Sequence, residues 1–260
     1  MWEETTASIL REAHKTRDSV IERWMSLLRT GVLREGAGCP GGSGMKTFNR
    51  YAAEEISRLN ELQAAYFSKN VHVFDPPLPE GVPERLQEIV HSAGITSSDA
   101  VLDIGTGTGI LVSLIQECSP ARIYANDLSQ AMLDAVKEQY PSVITMIGDI
   151  GTLALPDESI DVAFINACYS NIIDKHKAFT NIQRMFRPGG HLIISHPLGS
   201  SFVAVLKQNV PFPLDDFPSD VSEAAELFAP YGFRVSLFVN DEKLYILRLD
   251  GSSGKASEGG

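Results

Sequence analysis

The sequence has few cysteines, a small share of positive charge and no long apolar run. Its 3 cysteines, Cys39, Cys118 and Cys168, lie far apart, without the spacing of a metal centre or a disulfide framework. Lys and Arg number 22 against 33 Asp and Glu, a net charge of −11, whereas nucleic-acid binding relies on clustered positive charge. No apolar run approaches the ~20 residues of a membrane-spanning helix. We therefore expect a soluble cytoplasmic protein with free thiols, no metal and no nucleic-acid partner, an organellar location staying open.

What the sequence does contain is a glycine-rich turn between an apolar strand and an apolar helix, at residues 101–111. Gly105, Gly107 and Gly109 alternate with other residues there. Glycine adopts positive φ readily and has no Cβ, so a ligand can approach the backbone and the N-terminus of the next helix closely. The pattern predicts a cradle for an adenosine-containing cofactor.

The residues around the glycines favour one cofactor over another. A dinucleotide-binding turn has the pattern Gly-x-Gly-x-x-Gly, but Ile110 stands at the third glycine's place. Asp103 precedes the first glycine by two residues, where its carboxylate would repel a pyrophosphate and suit a cationic ligand, directly or through water. A positively charged ligand without phosphate therefore fits better than NAD.

The order of predicted elements extends this pattern along the chain. Ser129 is the predicted N-cap of a helix that runs to about Tyr140, and a later helix spans Ser222 to Tyr231. The predicted strands after the first one are Arg122–Asp127, Val143–Ile147 before Gly148 and Asp149, Val162–Asn166, His191–Ser195, Phe233–Val239 and Lys243–Arg248.

In these motifs the chain resembles the class I S-adenosylmethionine-dependent methyltransferases, over roughly residues 95–250. The resemblance implies an α/β three-layer sandwich with a doubly wound, mostly parallel seven-stranded sheet and an antiparallel last strand, the Rossmann-like methyltransferase fold. It also implies that S-adenosylmethionine is the cofactor.

The family's cofactor residues carry over onto matching positions of this chain. The glycine turn would hold the methionine and ribose end, Asp127 the ribose hydroxyls, and Asp149 with Ile150 the adenine. Asn166 is expected either to bond the cofactor or a polar substrate, or to satisfy the loop backbone. The predicted cofactor site consists of Asp103, Gly105, Thr106, Gly107, Gly109, Asp127, Leu128, Asp149, Ile150 and Asn166.

The methyl acceptor is expected at the carboxyl ends of the fourth and fifth strands. Tyr169 and Asn171 follow the fourth strand, and Phe212 and Phe217 lie in an apparent insertion after the fifth. They are candidate substrate contacts, with packing as the alternative. His196 ends the fifth strand and is a candidate general base, because histidine accepts a proton near neutrality; the alternative is a hydrogen bond within its loop.

Composition predicts four segments. Residues 1–35 read as an amphipathic helical segment that packs on the domain, forms a dimer or binds a partner, 36–44 as a flexible linker, 45–250 as the methyltransferase domain and 251–260 as a disordered tail. Within the domain, Phe48 to Lys69 reads as a helix that resembles the cofactor lid of small-molecule methyltransferases, with Tyr51 or Tyr66 as the lid aromatic.

The leading functional prediction is methyl transfer from S-adenosylmethionine to a small, partly hydrophobic metabolite by in-line displacement. A protein side chain is an alternative acceptor. Another alternative is a cofactor-binding assembly module without catalysis.

Overall fold

The structure is a computed structural model that describes residues 51–74 and 77–251. Its helices of six or more residues within these ranges are α1 (Ala53–Lys69), α2 (Val82–Ala93), α3 (Val112–Glu117), α4 (Gln130–Gln139), α5 (Lys175–Met185), α6 (Phe202–Lys207) and α7 (Val221–Phe228). Its strands are β1 (Ala100–Ile104), β2 (Arg122–Asp127), β3 (Ile144–Ile147), β4 (Ile160–Asn166), β5 (Phe186–His196), β6 (Phe233–Asn240) and β7 (Tyr245–Gly251).

The seven strands form one sheet in the order β3-β2-β1-β4-β5-β7-β6. Strands β1 to β5 pair in parallel, and β7 runs antiparallel to both β5 and β6. The strand order reverses at β1 and β4, so their carboxyl ends form the crevice in which open α/β sheets bind ligands. The predicted fold, including the antiparallel last strand, is confirmed.

Helices cover both faces of the sheet because its central strands are apolar on both sides. In β1, Val101 packs with α2 and α3, whereas Leu102 and Ile104 pack on the opposite face with α1 and α5. This alternation follows from the period of two of a β-strand, and the continuous apolar run is typical of a parallel strand buried on both faces. The result is the expected three-layer sandwich.

Side-chain caps fix where several helices begin. Oγ of Ser129 accepts a hydrogen bond from the Met132 N–H and starts α4, as predicted. Asp174 and Asp220 cap α5 and α7 in the same way. Because these helices follow β2, β4 and the β5 insertion, the caps also set how the chain leaves the functional edge of the sheet.

The helix after the glycine turn begins later than predicted. Gly105, Gly107 and Gly109 have φ values of +65°, +57° and +88°, which a right-handed helix cannot include. Helix α3 therefore starts only at Val112 and is six residues long. The free N–H groups at the turn belong to the loop and not to a helix N-terminus.

Two other boundaries differ from the prediction. Strand β5 begins at Phe186 rather than His191, and the register of its pairing with β4 shifts between Ile160 and Val162. The predicted lid helix begins at Ala53, preceded by an extended Ala52.

Some predicted segments lie outside the described residues. These are the N-terminal helical segment with its dimer or partner role, the linker 36–44, Phe48 and the tail beyond Gly251, which itself ends β7. Among the described residues, no helix is both long enough and apolar enough to cross a membrane.

Candidate active site

A cavity of about 220 Å³ lies over the carboxyl ends of β1, β2, β4 and β5. The strand order divides its lining into two parts, because β1 and β2 lie on one side of the crevice and β4 and β5 on the other. We call these the cofactor half and the acceptor half. Of the predicted cofactor residues, those that line the cavity are Gly105, Thr106, Gly107, Asp127, Leu128, Asp149, Ile150 and Asn166.

Gly105 is required by the close approach of Cys168 as well as by its positive φ. A Cβ at residue 105 would lie 2.7 Å from the Cβ of Cys168 and closer still to its Sγ. At Gly107 a Cβ would meet nothing within 4 Å. The first glycine therefore lets the loop after β4 close against the turn, whereas the second leaves open space over the backbone.

Asp127 ends β2 and lies across the turn from Gly107. Its Oδ2 accepts a hydrogen bond from the Gly107 N–H at 3.0 Å, and its Oδ1 accepts one from the Ser129 N–H at 2.8 Å. Burial raises the pKa of this carboxyl, and the backbone hydrogen bonds oppose the increase. Each carboxylate oxygen can accept a second hydrogen bond, so Asp127 is held in place and can still bind hydroxyl groups.

Asp149 follows β3 and joins the sheet to the helix above it. Its Oδ1 accepts from the Gly151 N–H at 2.7 Å, and its Oδ2 accepts from the side-chain amide of Asn60 in α1 at 2.7 Å. Ile150 is buried beside it. The predicted adenine pocket is therefore closed by a helix residue about ninety positions away in the sequence.

Helix α1 is joined to three different segments of the chain by side-chain hydrogen bonds. Besides Asn60, Gln63 donates to the Asn171 carbonyl at 2.9 Å, and the hydroxyls of Ser68 and Ser129 are 2.8 Å apart. Tyr66 lines the cavity, whereas Tyr51 does not. The sequence indicated a lid helix but missed Asn60 and Gln63, because amides on a polar helix face give no signal of a distant partner.

The acceptor half is formed by the segments after β4 and β5 and is mostly apolar. Asn166, Cys168 and Asn171 contribute from β4 and its loop, and His196 from β5. The apolar lining on this side comes from Ala167, Ile172, Pro197, Leu198, Phe202, Leu206, Val210 and Leu214. Among the described residues that line the whole cavity, the only Asp, Glu, Lys or Arg side chains are Asp127 and Asp149, both in the cofactor half.

His196 lies between aromatic rings at the end of β5. Its side chain is 4% exposed, and its ring centroid is 5.5 Å from that of Phe202 and 6.0 Å from that of Phe217. Nδ1 accepts a hydrogen bond from the Leu198 N–H at 3.1 Å. Burial lowers the pKa of the imidazole to about 4, so the ring is neutral at pH 7.

Comparison with known proteins agrees with this geometry. A family model described as a methyltransferase domain matches residues 102–194. An uncharacterized methyltransferase of Schizosaccharomyces pombe is 27% identical over 190 residues, 69% of this chain and 74% of that protein. The malonyl-[acyl-carrier protein] O-methyltransferase of Xylella fastidiosa is 30% identical over 135 residues, 50% of this chain but only 46% of that protein.

A solved structure shows the same fold. Phosphoethanolamine N-methyltransferase 1 of Haemonchus contortus, in complex with phosphoethanolamine and S-adenosylhomocysteine, superposes with a TM-score of 0.64 at 14% identity, over 80% of this chain and 51% of that one. Residues 102–194 of the chain therefore match a methyltransferase domain, and the fold around them is that of S-adenosylmethionine-dependent methyltransferases.

The family match ends at Ile194 and thus covers β1 to most of β5. Helix α1, His196 and the insertion after β5 lie outside it. The cofactor half of this methyltransferase therefore follows its family, whereas most of the acceptor half and the lid are built by segments that the family model does not describe.

Two predicted cofactor residues of the methyltransferase do not line the cavity. Asp103 is 2% exposed and lies behind the turn, where its Oδ2 accepts a hydrogen bond from the Thr106 hydroxyl at 2.7 Å. Burial, with a contribution from Asp127, raises its pKa to about 7. Its role is to hold the glycine turn. Gly109 faces Tyr140, Val112 and Val136 rather than the cavity.

Three predicted substrate contacts are also absent from the lining, and only Asn171 is present. Tyr169 is 1% exposed and packs with Phe217 at 5.1 Å between ring centroids. Phe212 packs edge-on against Tyr66 at 5.4 Å. These aromatic side chains form the layer behind the wall, because burying a large ring is more favourable there than at a solvated rim. Leu214, between Phe212 and Phe217, provides the wall itself.

A buried ion pair fixes the insertion. Nζ of Lys175, 1% exposed, lies 2.7 Å from Oδ2 of Asp215 and donates to the Ile172 carbonyl at 2.7 Å. The Asp215 N–H donates to the Ser170 carbonyl at 3.1 Å. Asp215 lies in the insertion after β5, and its charge is paired with Lys175 at the start of α5. This pair holds Leu214 against the cavity.

Proposed function

We propose that the enzyme transfers the methyl group of S-adenosylmethionine to an uncharged, largely apolar small molecule that binds over β4 and β5. The observation that supports this most is the acceptor half of the cavity, where no Asp, Glu, Lys or Arg side chain is found among the described lining residues. Burying an unpaired charge there would cost several kcal/mol, on the order of the penalty for any unpaired ion in a protein interior.

The cofactor half fits S-adenosylmethionine in charge and shape. Bound there, the cofactor would supply a methyl group on a cationic sulfur, and Asp127 and Asp149 are the charged side chains that line this half. Asp127 can accept hydrogen bonds from the ribose hydroxyls, and Asp149 and Ile150 can hold the adenine. The open backbone at Gly107 leaves room for the methionine part. The two carboxylates would repel the pyrophosphate of NAD.

The protein's own residues act mainly by orienting the acceptor and by excluding water from the cavity. Helix α1 closes over the cavity through Asn60 and Gln63, and the apolar wall removes water from around the acceptor. The cofactor would supply the methyl group: the nucleophilic atom of the acceptor would form a bond to the methyl carbon as the bond from that carbon to sulfur breaks, and the acceptor's proton would pass to solvent beyond the apolar wall. In-line orientation of this kind can supply much of the rate acceleration.

The named relatives differ from this proposal in the charge of the acceptor. A malonyl group carries a free carboxylate, and phosphoethanolamine carries a phosphate; both need positive side chains for binding. The described lining of this cavity has none. We therefore infer the reaction type from these relatives but not their acceptors.

Thermal unfolding with ligands tests the cofactor assignment. We expect S-adenosylmethionine and S-adenosylhomocysteine to raise the melting temperature and NAD to leave it unchanged, since a ligand at a hundred times its Kd stabilises the folded state by ~2.7 kcal/mol. Asp127→Ala should lose the effect. Asp134→Ala, an exposed carboxylate on α4, is the matched control and should keep it.

Methyl transfer itself is then measured with labelled cofactor and a panel of uncharged phenols, enols and ketones, alongside carboxylates and a protein extract. Transfer to an uncharged compound supports the proposal. Transfer only to carboxylates, or only to protein, contradicts the proposed acceptor class. Binding without any transfer favours the assembly module.

A further inference from the structure

His196 has one ring nitrogen engaged by the protein and one that is not. Nδ1 accepts the hydrogen bond from the Leu198 N–H. No described residue forms a hydrogen bond with Nε2, although the side chain is 4% exposed and lines the cavity. A ring nitrogen without a protein partner in a residue that lines a cavity is expected to pair with whatever occupies that cavity.

The hydrogen bond at Nδ1 decides where the imidazole proton lies. A neutral imidazole carries one N–H, and the nitrogen that accepts a hydrogen bond is the one without it. With Nδ1 as the acceptor, the proton is on Nε2. The rings of Phe202 and Phe217 pack against the imidazole and hold its plane.

This arrangement disfavours the general base that the sequence suggested. For Nε2 to take a proton from a substrate, the ring would need its own proton on Nδ1, where it would point at the Leu198 N–H. Two hydrogens would then face each other in a buried site, and the existing hydrogen bond would be lost. The lowered pKa of the ring also disfavours a general base, because a base that takes a proton becomes an imidazolium, which is unfavourable when buried.

We infer that His196 is a positioning residue that donates a hydrogen bond from Nε2 to a carbonyl oxygen of an uncharged methyl acceptor. The inference rests on the proposed function, since it assumes that the acceptor binds over β4 and β5. A carbonyl oxygen accepts a hydrogen bond but donates none, so it matches an N–H that lies among the apolar lining residues after β5.

The donor also has a chemical consequence for acceptors in which the carbonyl is conjugated with an enol or phenol. A hydrogen bond to the carbonyl oxygen withdraws electron density and favours loss of the neighbouring proton to water. The resulting oxygen or carbon nucleophile would form the bond to the methyl carbon as the bond from that carbon to the cofactor sulfur breaks. His196 would orient the acceptor and stabilise the negative charge that develops on its carbonyl oxygen, without taking the proton itself.

Binding to the protein loaded with S-adenosylhomocysteine tests the donor with three probes of similar shape: methyl naphthyl ketone, isopropenylnaphthalene and naphthoate. We expect the ketone to bind about tenfold more tightly than the alkene, as one net hydrogen bond gives. The carboxylate should bind more weakly than the ketone.

Two variants separate a donor from a base. His196→Phe should abolish the difference between ketone and alkene, whereas His196→Gln should keep most of it, because a glutamine amide can donate from near the position of Nε2. If His196 acted as a general base, His196→Gln would be as slow as His196→Phe in methyl transfer, because neither side chain can take a proton. If His196→Phe still binds the ketone more tightly than the alkene, the inference is contradicted. The inference is also contradicted if the wild type binds the two probes equally well.

Nitrogen NMR of the wild-type imidazole provides a test that needs no variant. We expect the chemical shift of a protonated nitrogen at Nε2 and of an unprotonated nitrogen at Nδ1 near pH 7. The reverse assignment overturns the inference.

Binding of S-adenosylhomocysteine is measured first in each protein. If the wild type does not bind it, the proposed function fails. If it binds and the probes show no preference for the ketone, or none of them binds, only the inference about His196 fails.

Discussion

The two halves of the cavity are built in different ways. The cofactor half depends on backbone groups and carboxylates within a few residues of strand ends, such as the Gly107 N–H and Asp127. The acceptor half depends on apolar side chains from distant segments, such as Ile172 and Leu214, brought together by a buried ion pair. The turn and the carboxylates of the first half lie within the segment that matches the methyltransferase domain, whereas the residues after β5 in the second half lie outside it.

The contact between Gly105 and Cys168 joins the two halves, and breaking it should have the largest effect. Gly105→Ala places a Cβ against the Cys168 side chain at a positive φ. Overpacking and backbone strain together should cost about 4 kcal/mol of unfolding free energy. Gly107→Ala, which meets nothing within 4 Å, carries the strain alone and should cost about 1 kcal/mol. Chemical denaturation measures both; equal losses would contradict the steric argument.

The pH dependence of stability tests the burial of His196 in the acceptor half. Its folded pKa, about 4, is below the unfolded value, so the unfolded state binds more protons and stability is lost as pH falls from about 6.5 to 4. His196→Gln lacks this loss, so relative to wild type it should gain about 3 kcal/mol between pH 7 and 4. Denaturation of both proteins across this range measures the difference; a constant difference would mean that the imidazole is solvated.

Asp103 behind the turn should show the opposite sign. Its folded pKa, about 7, is above the unfolded value, so its penalty appears as pH rises from about 4 to 7. Asp103→Asn should therefore become more stable relative to wild type as pH rises, although it loses part of its hydrogen bond with Thr106. The two variants thus serve as controls for each other.

The ion pair of the acceptor half should have a moderate effect. Asp215→Asn leaves Lys175 buried with the Ile172 carbonyl but without its carboxylate, and should cost about 2 kcal/mol, less than a fully buried pair because Asp215 is 30% exposed. Asp216→Asn breaks only the exposed pair with Lys207 and should cost less than about 0.5 kcal/mol. Calorimetric unfolding measures the loss of unfolding free energy in the two variants. Affinity for S-adenosylhomocysteine should stay unchanged in both variants; a large loss would show that the halves are coupled.

The smallest expected effect concerns the lid. Asn60→Ala removes the hydrogen bond to Asp149 and should weaken binding of S-adenosylhomocysteine by three- to tenfold, as the loss of one hydrogen bond of typical net strength gives, about 1 kcal/mol. Ser57→Ala on the exposed face of α1 is the control, because the Ser57 hydroxyl donates a hydrogen bond to Glu61 within the same helix, away from Asp149. Titration calorimetry measures both affinities. If Asn60→Ala and Ser57→Ala bind S-adenosylhomocysteine equally tightly, the hydrogen bond between Asn60 and Asp149 does not contribute to cofactor affinity.

The parts of the site that sequence analysis predicted are those with local signals. Asp127 and Asp149 each follow a strand, and their partners Ser129 and Gly151 are two residues away. Short-range hydrogen bonds of this kind recur whenever the same residues follow a strand. The turn at Gly105 and Gly107 was predicted for the same reason.

The predicted site residues that do not line the cavity are side chains whose direction depends on packing. Asp103, Tyr169, Phe212 and Phe217 were placed near the right strand ends but point into the layers behind the cavity. Sequence spacing predicts which strand end a residue is near. Whether its side chain lines the cavity or packs behind the lining depends on the residues that contact it from other helices and strands. Asn60 was missed because its partner is about ninety positions away.

Sequence analysis predicted the doubly wound α/β fold with its antiparallel last strand and the glycine turn with its two carboxylates, because period, turn chemistry and helix caps act over a few residues. The tertiary structure alone decided which side chains form the acceptor wall, that Lys175 and Asp215 hold it in place and that the proton of His196 lies on Nε2. These properties depend on long-range burial and on hydrogen bonds between segments, which no local pattern encodes.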